Sequence, residues 1–152
     1  MYQFWITQKI SFLKNRFEAL NDKIHTDADG KVIGYHLPEG NITYDHTRFD
    51  VEKKMNVTSG VYTAPKDGIY LFGFDSYKCQ GNKLGQVDVI HNSKLVKVII
   101  HNDEKPQSLM LTSYWTLEMK SGDTIYLVNK QKSSLYTHGT DSILSFIGFY
   151  LS

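Results

Sequence analysis

The sequence has little of several features that define whole classes of protein. It contains a single cysteine, Cys79, so no disulfide can form within the chain. Basic residues exceed acidic residues by only one, which leaves no concentrated positive charge to neutralise phosphates or anionic lipids. No apolar run approaches the roughly 18 residues needed to cross a bilayer. We therefore expect neither nucleic-acid binding nor membrane insertion.

Catalytic and metal-binding motifs are missing as well. The sequence has no nucleophile elbow and no zincin helix, and residues 81–85 lack the spacing and the Lys-Ser/Thr ending of a phosphate-binding loop. The six histidines are scattered, without the short spacings of a metal site. We interpret them as exposed loop residues, with zinc on an oligomer axis as the alternative. No enzymatic activity is expected.

The amino-terminal segment shows a heptad period. Its apolar residues recur at spacings of 4, 3, 4, 3 and 4, at Ile6, Ile10, Leu13, Phe17, Leu20 and Ile24. These spacings fit the a and d positions of a coiled coil, although the stripe covers under three heptads. So short a helix must pack either against copies of itself or against its own domain. We predict a coiled-coil stalk over residues 1–24.

Turn-forming residues interrupt this period at residues 25–31 and predict a hinge. Asp27 and Asp29 resemble part of a calcium-binding loop, but its other ligand positions are missing, so we interpret the segment as a turn. Beyond it, short apolar runs alternate at period two, which is typical of an antiparallel sandwich or barrel. We predict an all-β head over residues 32–152.

Several runs in the head predict particular strands. Residues 109–119 alternate between an apolar and a mixed face, and residues 124–128 follow a turn. Residues 86–90 and 95–100 flank a polar tetrad suited to a hairpin. The final run, residues 143–151, is apolar on both faces, which predicts a central strand at a domain or subunit contact.

Aromatic residues make up 13% of the chain and concentrate in the head. This is more aromatic surface than one small sandwich hides comfortably. An interface between copies is the favoured explanation, because tyrosine and phenylalanine supply large contact areas in oligomers. An aromatic-rich core is the alternative.

Two triplets, at Asn41 and Asn56, match the acceptor pattern for N-linked glycosylation. Residues 1–5 lack the basic and apolar regions of a signal peptide. A secreted protein would then have lost its signal or carried it outside this sequence. We expect a secreted, extracellular glycoprotein.

Glycines and aromatics in the head form a longer signature. Residues 58–65 read Thr-Ser-Gly-Val-Tyr-Thr-Ala-Pro, and residues 68–74 read Gly-Ile-Tyr-Leu-Phe-Gly-Phe. An aromatic pattern threads through Tyr44, Asp50, Met55, Tyr62, Gly68, Tyr70, Phe72 and Phe74. Residues 122–127 and 145–149 add a Gly-Asp strand and a closing Phe-x-Gly-Phe. Together these motifs resemble the complement 1q globular-head family over about residues 32–152, with Tyr44, Tyr62 and Met55 as apolar-for-apolar departures.

The resemblance implies a ten-stranded jelly roll related to tumour-necrosis-factor ligands and assembled as a homotrimer behind a stalk. The heptad takes the place of a collagen stalk, because no Gly-x-y repeat is present. The expected structural core consists of Tyr44, Tyr62, Tyr70, Phe72, Phe74, Phe146, Gly148 and Phe149.

Calcium is the cofactor that the resemblance raises. Some family members bind it through acidic residues in the loop that residues 100–105 resemble. Only Asp103 and Glu104 are available there, whereas calcium prefers six or more oxygen ligands. We expect no cofactor, with calcium at these two residues as the alternative.

The leading functional hypothesis is a non-catalytic recognition module, lectin-like or pattern-recognising in innate immunity, with glycans or microbial surfaces as ligands. The alternative is a signalling ligand or synaptic-organiser-like protein that engages a cell-surface receptor. A third hypothesis is an oligomerisation module with no soluble ligand. In each case recognition is expected in variable loops such as residues 79–86 and 101–107.

Overall fold

The computed structural model describes residues 15–78, 84–102, 109–132, 135–139 and 143–152. Within these ranges the chain forms β-strands and no helix, so the predicted all-β sandwich is confirmed. The described residues form fourteen strands, more than the ten expected, because several strands are very short. The strands are β1 (Arg16–Asn21), β2 (Ile24–Thr26), β3 (Val32–His36), β4 (Gly40–Asn41), β5 (His46–Asp50), β6 (Met55–Asn56), β7 (Val61–Thr63), β8 (Gly68–Lys78), β9 (Leu84–His91), β10 (Lys94–Asn102), β11 (Leu109–Met119), β12 (Thr124–Asn129), β13 (Leu135–Thr137) and β14 (Leu144–Tyr150).

The strands form two antiparallel sheets. The eight-stranded sheet has the order β2-β3-β13-β8-β14-β1-β5, and β11 also pairs with β8. The six-stranded sheet has the order β10-β9-β12-β7-β6, with β4 paired to β12. Strand β14 lies between β8 and β1, as expected for a run that is apolar on both faces. Strand β10 is left at an edge of the six-stranded sheet.

Aromatic side chains fill the space between the sheets. Tyr70, Phe72 and Phe74 alternate along β8 and are fully buried on its inner face. The ring centroid of Phe72 lies 5.8 Å from that of Phe146 on β14. A buried side chain of this size contributes about 1.5–3 kcal/mol by leaving water. The core of the sandwich is thus a layer of contacting rings.

The expected core residues fall on two sides of the eight-stranded sheet. Those that lie in the core are Tyr44, Tyr62, Tyr70, Phe72, Phe74, Phe146 and Gly148. A Cβ on Gly148 would lie 2.3 Å from Cε1 of Phe17, so this ring requires glycine beneath it. Phe149 departs from the expectation: it is half-buried and faces outward opposite Leu71. It therefore belongs to the outer face and not to the core.

The predicted helix is wrong for the residues of the stripe that the structure describes. Phe17 and Leu20 lie in β1, which pairs with β14 and β5. The Phe17 ring is fully buried and stacks on Tyr62 with ring centroids 4.2 Å apart. Burial of this ring overrides the local helical period, because β1 also places Phe17, Ala19 and Asn21 on one face at period two. The predicted stalk positions Ile6, Ile10 and Leu13 lie outside the described residues.

The predicted hinge is part of the head. Ile24 lies in β2, which pairs with β3 as a hairpin. The turn between them is closed by Asp27, whose Oδ1 accepts hydrogen bonds from the backbone N–H of Asp29 and Lys31. Gly30 adopts φ of 82°, which suits glycine. The turn assignment agrees with the structure, but the head already includes Arg16, not only residues from 32 onward.

The hairpin expected around residues 91–94 is present between β9 and β10. Asn92 and Ser93 have φ values of 47° and 66°. Positive φ at both central residues defines the two-residue turn whose twist matches that of the strands. The polar tetrad thus sets the register of this hairpin.

Candidate functional site

The outer face of the eight-stranded sheet points away from the core and centres on Gly73. Strand register places Gly73 between Tyr114 on β11 and Ile147 on β14. A Cβ on Gly73 would lie 2.5 Å from Cε1 of Tyr114 and 2.9 Å from Cγ2 of Ile147. Both side chains therefore lie over bare backbone, and the sheet surface is flat at this point.

This outer face is largely apolar. The apolar side chains that it presents are Ile69, Leu71, Met110, Tyr114, Ile147 and Phe149. Tyr114 is 59% exposed, Met110 56% and Ile69 43%. Large contiguous apolar patches are uncommon on monomeric soluble proteins and mark interaction sites. The face has the composition of a protein–protein interface.

A groove of about 350 Å³ crosses one end of this face. We call it the charged groove; it is lined by Glu18, Leu20, Arg48, Asp75, Tyr77, Met110, Ile143 and Ser145. Glu18 and Arg48 form an ion pair at 3.3 Å. The groove therefore places two carboxylates, those of Glu18 and Asp75, at one end of this largely apolar face.

A second apolar surface lies along β10, at the edge of the six-stranded sheet. Leu95 is 56% exposed and Ile100 is 57% exposed, and Val96 and Val98 are exposed between them. The pairing with β9 shifts register between Leu95 and Lys97. Such a bulge twists an edge strand and hinders further strand pairing. The side chains of β10, more than its backbone, are thus available for contact.

A larger groove, of about 770 Å³, runs beside the β6–β7 hairpin. We call it the hairpin groove; it is lined by Lys53, Lys54, Met55, Asn56, Val57, Ser59, Val61 and Thr63. Amide, hydroxyl and ammonium groups thus share its wall with short aliphatic side chains. This mixture offers hydrogen-bond donors and acceptors to a hydrophilic ligand.

The two predicted glycosylation positions both lie on the six-stranded sheet. Asn41 is exposed on β4, opposite Val128. Asn56 is exposed on β6, and its Oδ1 accepts hydrogen bonds from the backbone N–H of Thr58 and Ser59 at 3.1 Å. Their attachment to sugar stays a prediction. Asn56 is also one of the residues that line the hairpin groove.

The calcium candidates Asp103 and Glu104 lie outside the described residues, in the connection between β10 and β11. In the part of the chain that the structure does describe, no three acidic, histidine or cysteine residues come together as a metal site. His46 Nδ1 lies 3.9 Å from Oδ1 of Asp22. The calcium expectation stays a prediction.

A contact between His91 and Asp123 joins two turns. His91 Nε2 lies 3.0 Å from Oδ2 of Asp123, and Asn92 Nδ2 donates to Oδ1 of the same carboxylate at 2.8 Å. The backbone N–H of Lys120 donates to Oδ2 at 2.9 Å. This last bond, followed by those from Asn92 and His91, lowers the pKa of Asp123 to about 2. The cluster locks the β9–β10 hairpin to the β11–β12 turn.

The pKa shifts of other side chains are also caused by burial in the fold. Burial raises the pKa of Tyr44 and of Tyr62, so both phenols stay neutral at physiological pH. Burial also lowers the pKa of Lys66, whose Nζ lies 3.7 Å above the ring of Tyr150. The Tyr70 hydroxyl donates to the carbonyl of Lys66 at 2.7 Å. These contacts are part of the packing of the fold and do not form a common site.

The sequence predicted strands that contribute to the outer face, but it did not predict that they form one exposed apolar surface. Residues 109–119 were expected to have a mixed face, and Met110 and Tyr114 lie on it. The sequence feature that favoured an interface was the excess of aromatic residues. It did not show that Gly73 would expose Tyr114 and Ile147 as one surface, because that depends on which strands become neighbours.

No helix among the described residues is long and apolar enough to cross a membrane. No curated protein matches the chain in sequence. Solved structures match it in fold: the globular domain of zebrafish complement 1qA protein has a TM-score of 0.69 at 16% identity, covering 91% of this chain and 98% of that chain. Eiger TNF from S. frugiperda has a TM-score of 0.60 at 12% identity, covering 91% and 94%.

Murine APRIL is similar to the same extent, with a TM-score of 0.61 at 10% identity, covering 90% of this chain and 98% of that chain. These likenesses establish a fold shared by complement 1q heads and TNF ligands. The model of the C1q domain family matches residues 33–151, which is most of the chain. The strands, the aromatic core and this match agree, and the chain belongs to the C1q domain family.

Proposed function

We propose that this C1q-domain protein is a secreted, extracellular, non-catalytic recognition module that works as a homotrimer. The observation that carries the proposal is the apolar outer face around Gly73. Leaving Tyr114 and Met110 more than half exposed is unfavourable for an isolated domain. Contact with further copies buries this face.

Two different apolar surfaces favour a ring over a two-fold dimer. One is the outer face of the eight-stranded sheet, and the other is the β10 edge of the opposite sheet. When unlike surfaces of identical chains meet, the contact is head-to-tail, and it forms a ring where the rotation between copies closes. A trimer is the closed ring implied by family membership.

The hairpin groove supports a lectin-like role. Its lysines, hydroxyls and amide suit a hydroxyl-rich ligand, including an anionic polysaccharide of a microbial surface. Such single-site contacts are weak, and a trimer presents three of them together. The module would then act in pattern recognition in innate immunity. The signalling-ligand alternative would instead require a cell-surface protein receptor.

Light scattering on the full chain tests self-association. We expect a trimer for the wild type and a monomer for Tyr114→Lys, because a charge at the centre of an apolar interface cannot be buried without a partner. Tyr126→Lys is the matched control, since Tyr126 lies on the six-stranded sheet, opposite Ile90. Circular dichroism checks that both variants fold.

A monomeric wild type, or a Tyr114→Lys protein that stays trimeric, would reject this face as the interface. For the ligand, immobilised polysaccharides and a cell-surface capture experiment are compared. Binding to polysaccharide that weakens with Lys54→Gln supports the lectin-like role. Capture of one membrane protein without polysaccharide binding would favour the signalling alternative.

A further inference from the structure

We propose that the charged groove receives a lysine side chain from a neighbouring copy and thereby fixes how the copies pair. The proposal rests on the proposed self-association and adds to it a specific electrostatic contact. Apolar faces alone permit many relative positions, whereas a charge that must find its partner permits few.

The groove is electrostatically unbalanced. Glu18 is paired with Arg48, and its side chain is only 15% exposed. Asp75 lies on the same face between Thr112 and Ser145 in register. Among the described residues, its carboxylate has neither a hydrogen bond nor an ion pair within the chain. Two carboxylates therefore face one guanidinium.

Covering the outer face with a second copy would strip water from Asp75. An unpaired carboxylate is costly to bury, and the cost falls only when an opposite charge arrives with it. Thr112 and Ser145 supply hydroxyls but no charge. The occupant that satisfies this groove is a basic group carried by the surface that covers it.

The β10 edge carries such groups. Residues 94–102 include Lys94 and Lys97 and no acidic residue. Lys97 is half-buried between exposed aliphatic neighbours. A lysine can lay its aliphatic stem along an apolar face and place its ammonium group on a carboxylate. The same edge that supplies the second apolar surface thus supplies the charge that Asp75 lacks.

The first test measures trimer dissociation of the full chain against protein concentration and sodium chloride. We expect Asp75→Asn to raise, at least about tenfold, the protein concentration at which half of the trimer dissociates. Dissociation should also depend less on salt, because one charge of a desolvated pair is lost. Glu118→Gln is the control: Glu118 lies on the same outer face, opposite Ile69, but outside the groove. It should leave that concentration nearly unchanged.

A charge swap tests the pairing directly. Asp75→Lys and Lys97→Asp should each dissociate the trimer, and the chain carrying both should assemble again. Lys94→Asp is the control and should not restore assembly to the Asp75→Lys chain. If Asp75→Asn assembles as tightly as the wild type, or if the chain with Asp75→Lys and Lys97→Asp stays dissociated, the groove does not receive Lys97. A monomeric wild type would reject self-association itself, and this proposal with it.

Discussion

The carboxylate of Asp123 ties together two turns that are far apart in sequence. It accepts from the backbone of Lys120 within its own turn and from Asn92 in the β9–β10 turn. Hydrogen bonds to an ionised carboxylate are about twice as strong as those between neutral groups. The bond within the turn holds the carboxylate in place, and the bonds from the second turn join the β9–β10 hairpin to the β11–β12 turn.

This contact should make the free energy of unfolding depend on pH in the acidic range. The pKa of Asp123 falls to about 2 in the folded state, below its value of about 3.9 in unfolded chains. The stabilisation is therefore complete above about pH 4 and disappears as the pH falls toward 2. We expect Asp123→Asn to cost about 1 kcal/mol at pH 5, since the site is partly open to solvent.

Urea unfolding at pH 5 and pH 2 measures this effect. The difference between wild type and Asp123→Asn should shrink at the lower pH, because the wild-type carboxyl is then becoming protonated. Asp29→Asn, in the exposed β2–β3 turn, is the control and should track the wild type at both values. A constant difference between wild type and Asp123→Asn would show that the charge of Asp123 is irrelevant to the lock.

Strand β1 is the element whose role departs most from its appearance in the sequence. It joins β14 to β5 and contributes the fully buried Phe17. The backbone N–H of Tyr150 donates to the carbonyl of Asn15 at 2.9 Å. The head is therefore incomplete without this strand.

Two truncated chains distinguish the contribution of β1 to folding from that of the predicted stalk. A chain that begins at Asn15 should melt cooperatively near the wild-type temperature. A chain that begins at Lys31 loses Phe17 and one of the two strands that pair with β14, and removal of a buried phenylalanine side chain alone costs about 3–5 kcal/mol. We expect this second chain to be unfolded. A cooperative transition in it, measured by near-ultraviolet circular dichroism, would contradict the assignment of β1 to the core.

The longer of these chains also tests the heptad. If the chain beginning at Asn15 stays trimeric in light scattering, assembly resides in the head. If it becomes monomeric, residues 1–14 contribute to assembly, as the positions Ile6, Ile10 and Leu13 predict.

Assembly and ligand binding are linked in the intact protein. A trimer that presents three hairpin grooves to one polysaccharide gains avidity from the effective concentration of the second and third sites. We expect Tyr114→Lys, as a monomer, to bind an immobilised polysaccharide about 100-fold more weakly than the wild type. Surface plasmon resonance at high and low ligand density measures this.

At low ligand density, where a trimer can use only one of its three binding sites at a time, the wild type and Tyr114→Lys should bind with the same affinity. Equal binding at high density would show that the three heads do not act together.

Local pattern was sufficient to predict much of this architecture. Alternation at period two predicted the long strands, and polar tetrads predicted turns such as Asn92 and Ser93. These features depend on neighbours in sequence, and the same chemistry acts wherever the chain is placed. The aromatic rows of β8 likewise predicted one buried face, because Tyr70, Phe72 and Phe74 must lie on the same side of a strand.

Long-range packing determined what those patterns could not. The heptad spacing at Phe17 and Leu20 favours a helix, because a strand places these two side chains on opposite faces. The buried contact of Phe17 with Tyr62 nevertheless belongs to the strand. The outer face likewise exists only because β8, β11 and β14 become neighbours and bring Tyr114 and Ile147 together over Gly73. Sequence spacing specifies which side of its own strand a residue occupies, whereas the pairing of distant strands decides what that side meets.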